Sequence, residues 1–510
     1  MYELRISRRK AKRERLPSSS VDCRMILDRA SGILLHPTSL PGRFGIGDLG
    51  AESYGFADFL HEAKQKVWHV LPLGPTGPQN SPYQCRSAFA GNPLLLSPEM
   101  LAEEGYLSRR DLLGVPYFPS TRVDFRAVGS YKLRLFRRAF QGFTETNAYC
   151  EFLKQHATWL DPFAMFMALR RANGGISWTK FDPKIQANPE DVRFHKFVQY
   201  EFFRQWNQLK SHCADRNILI MGDMPFYVEH DSADVWHLPR LFHLDRHGEA
   251  LTVGGVPPDY FSRDGQLWGN PTYRWDRLEE TKFTWWIERF RTAFQLVNFL
   301  RLDHFRGFEK FWKVSARQDT AKRGQWVKGP GMKLFEAVRR KLGTLPFIAE
   351  NLGIITPEVE ALRRKLRLPG MAVLQFAFGE DTTHRPFNYT PDIVSFTGTH
   401  DNNTTRGWWT DLKRASRVHP RSEARAQIDR IRSYLQTDGH EICWSCTQAV
   451  MTSIAQISLV PMQDILGLGG IARMNVPGRA SGNWRWRYAS DAITSGLVTR
   501  LKNLTEVSGR

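Results

Sequence analysis

The 510-residue chain has few cysteines, no long apolar run and no secretory signal. No stretch approaches the roughly 18 unbroken apolar residues of a membrane-spanning helix. The amino terminus is too polar to contain the apolar segment of a signal peptide. The 6 cysteines are scattered, and the pair Cys443-Trp-Ser-Cys446 lacks the second ligand pair of a zinc site. We therefore expect a cytoplasmic protein with reduced thiols, no membrane association and no metal at this pair.

Acidic residues are in deficit, because 52 Asp and Glu stand against 71 Lys and Arg, which gives a net charge of +19. Such a charge is typical of nucleic-acid-binding proteins. Its distribution does not favour that function, because the basic residues are spread over many helix-like segments, apart from a cluster in residues 1–15. We expect a solvated basic surface without a nucleic-acid partner, and a disordered basic extension over residues 1–30.

The chain has neither an internal repeat nor a low-complexity linker, and 42% apolar residues suffice for a large core. Eight short apolar runs end in glycine, proline or polar residues, as buried parallel strands do. They are 32–35, 66–73, 217–221, 297–302, 345–349, 372–378, 392–396 and 457–462. Helix-period segments lie between many of them. The pattern predicts an α/β fold, a (β/α)8 TIM barrel over residues 31–505, with large insertions after strands 2 and 3 at about 97–215 and 229–296.

Polar and charged side chains follow several predicted strands, where barrel enzymes carry their catalytic groups. These strand ends read His36-Pro-Thr-Ser, Gly222-Asp-Met-Pro, Arg301-Leu-Asp-His, Glu350-Asn, Gly398-Thr-His-Asp-Asn and Gln463-Asp. The carboxyl ends of parallel barrel strands meet at one face. We therefore expect these carboxylates to converge on a single cleft.

Converging carboxylates suit the cleavage of glycosidic bonds, in which a retaining enzyme uses a nucleophilic carboxylate and a protonated carboxylic acid. We assign the nucleophile to Asp303, because Arg301 lies two residues earlier in the strand and would hold it ionised. We assign the acid/base to Glu350, whose pKa a neighbouring carboxylate would raise. Asp401, beside His400, would bind sugar hydroxyls and stabilise the transition state. Structural ion pairs at loop starts are the alternative.

Residues 256–271 contain too many glycines and prolines for a helix or a strand, so we predict a loop there. Tyr260, Phe261 and Trp268 are unusual in a loop, since loops face water. Aromatic rings stack on the apolar faces of sugars. These rings therefore either bind sugar or pack the loop onto its own domain.

Nine longer stretches occur in order along the chain. They are GILLHPTSLPGRFGIGDLG from Gly32, VLPLGPTG from Val70, SPYQCRSAFAGNP from Ser81, GDMPFYV from Gly222, GVPPDYFSRDGQLWGNP from Gly255, RLDHFRGFE from Arg301, AENLGIITPEVEALR from Ala349, TGTHDNNTTRGWW from Thr397 and QDILGLGGIARMNVPGRASGNWRWR from Gln463. Together they resemble the amylomaltases or 4-α-glucanotransferases, glycoside hydrolase family 77 of the α-amylase superfamily. The resemblance extends over about residues 31–487, nearly the whole chain.

The resemblance implies a retaining transglycosylase that moves segments of α-1,4-glucan through a covalent glucosyl-enzyme intermediate. The family's nucleophile, acid/base and transition-state stabiliser fall on Asp303, Glu350 and Asp401. Its sugar-binding positions fall on Tyr83, Asp223, Asp259, Gln266, Trp268, Arg301, His304, His400 and Asn475. It implies maltooligosaccharides and α-1,4-glucans as substrates, no metal or organic cofactor, and a lid over the acceptor side formed by residues 259–268.

The chain departs from the family pattern at several positions that leave the predicted reaction unchanged. Asn351 and Asn403 stand where aspartate is usual, Phe387 where histidine is usual, and Lys313 where glutamate is usual. We expect Asn351 to remove a negative charge near Glu350 and to lower its pKa. Sugar affinity and pH optimum are the properties that these departures would affect.

Two alternative functions stay open at this point. An amylase-like hydrolase would use the same carboxylates but pass the intermediate to water, so that reducing ends would accumulate. A glucan- or nucleic-acid-binding protein with an inactive site is the other, and the complete set of Asp303, Glu350 and Asp401 disfavours it. No sequence pattern indicates an oligomeric state.

Overall fold

The computed structural model describes residues 29–258, 263–379, 382–419 and 422–510, and these contain twelve strands and fifteen α-helices. The strands are β1 (Ala30–Leu34), β2 (Val67–His69), β3 (Leu219–Met224), β4 (Thr252–Val256), β5 (Gln266–Pro271), β6 (Phe299–Leu302), β7 (Lys310–Ser315), β8 (Gly324–Lys328), β9 (Phe347–Ala349), β10 (Gly370–Val373), β11 (Ile393–Phe396) and β12 (Ile457–Pro461). The helices are α1 (Ala51–Glu62), α2 (Pro98–Glu103), α3 (Phe125–Gly142), α4 (Asn147–Ala172), α5 (Pro189–Asp215), α6 (Ala233–His237), α7 (Trp275–Glu280), α8 (Thr284–Leu296), α9 (Met332–Leu342), α10 (Pro357–Leu366), α11 (Thr405–Val418), α12 (Glu423–Leu435), α13 (Ile442–Thr452), α14 (Met462–Ile465) and α15 (Ser495–Val507).

Eight parallel strands form the larger sheet, in the order β10-β11-β12-β1-β2-β3-β6-β9. The sheet nearly closes into a barrel, because the Ala349 N–H at the end of β9 donates to the carbonyl of Pro369, just before β10 (2.8 Å). Alternate side chains of the strands point into the barrel, where they form an apolar core. That core contains Val67, Met221, Phe299, Ile348, Met371, Val373, Val394, Phe396, Ile457 and Leu459.

Each of the eight predicted apolar runs overlaps one strand of this sheet, so the predicted (β/α)8 barrel is confirmed. The sixth run is displaced, because β10 ends at Val373 and a 3-10 turn follows at Leu374–Phe376. The run stays apolar beyond the strand because Leu374 and Phe378 are buried in the larger core outside the barrel.

Large insertions follow β2 and β3, as predicted. The first contains α2 to α5, and the second contains α6 to α8 together with β4 and β5. The smaller sheet is antiparallel in the order β5-β4-β7-β8, so it also takes β7 and β8 from the segment after barrel strand β6. The sequence did not predict that the segment after β6 would add strands to the smaller sheet. The boundaries 97–215 and 229–296, and the single catalytic domain over 31–505, stay predictions.

The predicted loop over residues 256–271 is wrong in its second half. Residues Gln266–Pro271 form β5, which pairs antiparallel with β4. The register of this pairing shifts between Val253 and Gly255 of β4. Gly255 permits this close pairing, because a Cβ atom there would lie 2.3 Å from the Gln266 carbonyl oxygen. The glycines that suggested a loop belong instead to a bulged pair of strands.

The helix α10 begins at Pro357, and proline suits the first turn because it has no N–H group to leave unpaired there. Within the described ranges, no helix is long and apolar enough to cross a membrane. Residues 1–28, which include most of the predicted basic extension, lie outside the described part of the chain.

Candidate active site

A layer of polar side chains lies directly above the apolar barrel core, on four neighbouring strands. Each polar residue follows an inward-facing core residue by two positions, so strand alternation turns both toward the barrel interior. The pairs are Val67 with His69, Met221 with Asp223, Phe299 with Arg301, and Ile348 with Glu350. The barrel backbone therefore places these polar groups together.

Arg301 connects two carboxylates of this layer. Its Nη1 atom donates to both carboxylate oxygens of Asp223 (2.9 and 2.8 Å) and to Oδ1 of Asp303 (2.9 Å). Burial opposes the guanidinium charge, but Asp223 and Asp303 hold the pKa of Arg301 well above its ordinary value. The predicted contact between Arg301 and Asp303 is present, and Asp223 shares the same donor.

The two carboxylates bound to Arg301 have very different proton affinities. Burial disfavours the charge on Asp223, yet Arg301 brings its pKa down to about 2. Burial raises the pKa of Asp303 to about 8 against the lowering effect of Arg301, and Asp223, Glu350 and Asp401 add to the increase. The expectation that Arg301 holds Asp303 ionised was therefore incomplete, because burial and three negative neighbours act in the opposite direction.

Glu350 directly follows β9, and two backbone groups orient its side chain. Its Oε2 accepts a hydrogen bond from the His304 N–H (2.8 Å), and its Oε1 accepts one from the Leu352 N–H (3.0 Å). His304 adopts the left-handed conformation, with φ of 49°, in the tight turn after β6. Burial raises the pKa of Glu350, and Asp223 adds to the increase while Arg301 opposes it. The predicted direction agrees with this shift, but burial is its main cause.

Asp401 follows β11, and 47% of its side chain is exposed. Its Oδ1 accepts a hydrogen bond from Asn475 Nδ2 (2.6 Å) and lies 3.5 Å from His400 Nε2. Arg473 donates to the backbone carbonyl of Asp401 (2.5 Å). Asn475, which the resemblance implies is a sugar-binding residue, thus also orients the candidate stabiliser.

Tyr83 and His400 form an aromatic platform beside these carboxylates. Their rings stack with centroids 5.0 Å apart and planes inclined by 19°. The Tyr83 hydroxyl donates to Asp223 Oδ2 (2.8 Å), and burial raises its pKa well above the ordinary value. The hydroxyl is therefore protonated at neutral pH and can donate to a carboxylate or a sugar oxygen.

The predicted loop residues Gln266 and Trp268 lie on β5, where Trp268 Nε1 donates to Gln266 Oε1 (3.3 Å). The rings of Trp268 and His304 meet edge to face with centroids 4.9 Å apart, which brings β5 next to the turn after β6. Asp259, Tyr260 and Phe261 lie outside the described residues.

The four residues that depart from the pattern of the resembled family differ in their surroundings. Asn351 joins two elements, because its Nδ2 donates to Glu360 of α10 (2.7 Å) and its Oδ1 accepts the Met371 N–H of β10 (2.7 Å). Asn403 Nδ2 donates to Asp411 of α11 (2.8 Å). Lys313 lies in β7, and Phe387 is 64% exposed.

His69 was not predicted as a site residue, because the predicted second strand continued past it to residue 73. His69 is 1% exposed, and its Nε2 lies 3.8 Å from Asp223 Oδ2. The signal available in the sequence was a histidine inside an otherwise apolar run. Within the described part of the chain, no group of three or more His, Cys, Asp or Glu is arranged to hold a metal ion.

Comparisons with known proteins point to one family. The family model for 4-alpha-glucanotransferases matches residues 35–493. A 4-alpha-glucanotransferase of Synechocystis is 46% identical over 95% of this chain and 99% of its own length, and one of Thermus thermophilus is 45% identical over 95% and 100%. The solved amylomaltase from Streptococcus agalactiae in complex with acarbose is 36% identical, with a TM-score of 0.88 over 94% of this chain and 99% of its own. These transferase names do not favour the hydrolase alternative.

Proposed function

Because the chain belongs to the 4-alpha-glucanotransferase family, glycoside hydrolase family 77, we propose that Asp303 is its nucleophile, Glu350 its acid/base and Asp401 its transition-state stabiliser. The enzyme transfers segments of α-1,4-glucan to a glucan acceptor. The observation that best supports these roles is the Arg301 guanidinium, which orients Asp303 beside a protonatable Glu350 on the next strand.

In the first step, Asp303 attacks the anomeric carbon of a glucosyl unit while the glycosidic bond breaks. Glu350 gives its proton to the leaving oxygen, so the reducing-end fragment departs with a free 4-hydroxyl group. The other fragment stays on Asp303 as a β-glucosyl ester. Arg301 orients the attacking carboxylate, and Asp401 accepts hydrogen bonds from ring hydroxyls as positive charge develops on the sugar.

In the second step, Glu350 acts as a base. It removes the proton from the 4-hydroxyl of an acceptor glucan, whose oxygen attacks the anomeric carbon of the ester. A new α-1,4 bond forms, the bond to Asp303 breaks, and Glu350 again holds the proton. Two inversions restore the α configuration, and the number of reducing ends is unchanged.

The cycle needs one proton for two carboxylates, with Asp303 ionised and Glu350 protonated. The pKa of Asp303 and the pKa of Glu350 are both raised, chiefly by burial, so the pair keeps a proton at neutral pH. The two N–H groups that bind Glu350 keep its carboxyl fixed while the proton leaves and returns. This arrangement supports acid and base roles for one residue.

We assign maltooligosaccharides and α-1,4-glucans as substrates. The aromatic platform of Tyr83 and His400 suits the apolar face of a sugar ring, and Trp268 on β5 offers a second ring near the acceptor. The solved relative carries acarbose, a compound that we expect this enzyme to bind as well. The cytoplasm is our proposed location, on the basis of the free cysteines among the described residues.

The test is incubation of the purified protein with maltotriose, with products separated by chain length and reducing ends counted. We expect glucose and a ladder of longer maltooligosaccharides at a constant number of reducing ends. Asp303→Asn should abolish the ladder without loss of fold. Glucose and maltose with rising reducing ends would contradict the transfer reaction, and an active Asp303→Asn variant would contradict the assigned nucleophile.

A further inference from the structure

His69 is a buried residue, and neither of its ring nitrogens has a hydrogen-bond partner among the residues that the structure describes. It is the last residue of β2 and is 1% exposed, and its ring meets the Phe396 ring edge to face with centroids 5.9 Å apart. Buried polar atoms are nearly always paired, because leaving one unpaired destabilises the fold. An apolar side chain would suit this place in the barrel better, so the imidazole needs a functional explanation.

The carboxylate of Asp223 is the charged group that faces this imidazole. His69 Nε2 lies 3.8 Å from Asp223 Oδ2, which is beyond direct hydrogen-bond distance. The same oxygen already accepts from the Tyr83 hydroxyl (2.8 Å) and from Arg301 (2.8 Å). The Tyr83 hydroxyl has only one proton to donate, so a sugar oxygen that accepts this proton takes the hydrogen bond away from Asp223.

We propose that His69 is a positioning residue that replaces Tyr83 on Asp223 when substrate recruits the Tyr83 hydroxyl. The imidazole N–H then keeps the Asp223 carboxylate in place. Asp223 in turn keeps Arg301 aligned with Asp303, because one Nη1 atom serves both carboxylates. The inference rests on the proposed function, since it takes Asp303 as the nucleophile and Tyr83 as a sugar ligand.

The charges around His69 suit a neutral donor. Burial lowers the pKa of His69, Arg301 and His400 lower it further, and Asp223 acts in the opposite direction. A neutral imidazole carries one N–H group and no charge. On Asp223 it therefore supplies a hydrogen bond without competing electrostatically with Arg301.

The test compares His69→Gln with His69→Met, two side chains of similar length that differ in having an N–H donor. Wild type and Asp303→Asn are measured in the same maltotriose assay. We expect His69→Met to lower kcat roughly 10- to 100-fold, with KM within about 3-fold of wild type, as loss of one catalytic hydrogen bond does. His69→Gln should keep kcat within about 3-fold of wild type, because its amide can donate.

Thermal unfolding separates this role from simple packing. His69 makes no hydrogen bond to any other described residue, so His69→Met should unfold at the same or a higher temperature than wild type while reacting more slowly. Failure of His69→Met to fold, equal kcat for His69→Met and wild type, or equal loss in His69→Gln and His69→Met would each overturn the inference. Absence of a product ladder with wild type would overturn the proposed function itself, whereas an active wild type with inactive Asp303→Asn leaves His69 to be judged alone.

Discussion

At the scale of single residues, the proton shared by Asp303 and Glu350 decides when the site can react. A carboxylate with a raised pKa binds its proton at higher pH than usual, so the nucleophile is lost as the pH falls through that raised value. Burial raises the pKa of Asp303 to about 8 and also raises that of Glu350. We therefore expect both the acid limb and the basic limb of a plot of kcat/KM against pH to lie above the pH range in which unperturbed Asp and Glu side chains titrate.

Glu350→Gln allows the two carboxylates to be distinguished. With α-maltotriosyl fluoride, whose leaving group needs no acid, the rate of glucosyl transfer to Asp303 can be measured without Glu350. Because the Glu350 charge raises the pKa of Asp303, the acid limb of Glu350→Gln should move to lower pH than that of wild type on the same fluoride. An acid limb at the same or higher pH would show that Glu350 is already neutral when Asp303 titrates.

Individual contacts could be predicted from the sequence where one strand supplies both partners. Arg301 and Asp303 are two residues apart, so alternation alone indicated their contact. The contact between Tyr83 and Asp223 joins residues from two different segments, and only the barrel brings them together. The approach of His69 to Asp223 was unpredictable for the same reason, because nothing local to β2 indicates a carboxylate on β3.

At the scale of secondary-structure elements, Asn351 connects α10 to β10. We expect Asn351→Asp to lower the free energy of unfolding by about 1–3 kcal/mol at neutral pH, because a carboxylate would replace the amide donor beside Glu360. Like charge raises the pKa of the new carboxyl group, so the loss should appear as the pH rises and fade in acid. Urea unfolding at several pH values measures it.

The control for that variant is Asn351→Asp combined with Glu360→Gln. The second substitution would supply an amide donor to the new carboxylate, so most of the lost stability should return. Equal stability of Asn351→Asp and wild type at neutral pH would contradict the structural role of this asparagine.

The strand β5 places Trp268 beside His304, in the turn that follows β6. We expect Trp268→Ala to raise the acceptor KM roughly 3- to 10-fold, because an aromatic stacking contact contributes about 0.5–1.5 kcal/mol. Hydrolysis should increase relative to transfer, and counting reducing ends during the maltotriose reaction measures this ratio. Trp268→Phe is the matched control and should retain most of the transfer; equal ratios in all three proteins would exclude an acceptor role.

The buried strands of the barrel could be predicted from the sequence, whereas the bulged strands β4 and β5 of the smaller sheet could not. The barrel strands lie in mainly apolar runs, so hydrophobicity located all eight. β4 and β5 contain several glycines, which in isolation indicate a loop. Their strand conformation depends on pairing with each other and on the pairing of β4 with β7, which begins more than fifty residues after β4.

At the scale of the whole molecule, the barrel is closed by contacts between distant parts of the chain. β1 pairs with β12, so residues near 30 and 457 lie side by side. Such contacts follow from the closed sheet order, and the count of eight alternating strands was enough to predict them. The smaller sheet gave no comparable signal, because two separate segments contribute its strands, one after β3 and one after β6.

Arg510, the last residue of the sequence, also connects β1 with the turn before β12. Its guanidinium is buried and donates to the carbonyls of Ala30 (2.7 Å), Ala455 (2.9 Å) and Ser453 (3.1 Å), which belong to β1 and to the turn between α13 and β12. We expect Arg510→Met to lower the free energy of unfolding by about 3 kcal/mol, because several buried carbonyls would lose a charged donor. Arg510→Lys, with the charge but fewer donors, should fall between wild type and Arg510→Met. Arg510 lies at the amino ends of β1 and β12, whereas the candidate site lies at the carboxyl ends of the barrel strands. The folded variants should therefore transfer glucan at the rate of wild type. A folded Arg510→Met variant that reacts more slowly would contradict a purely structural role.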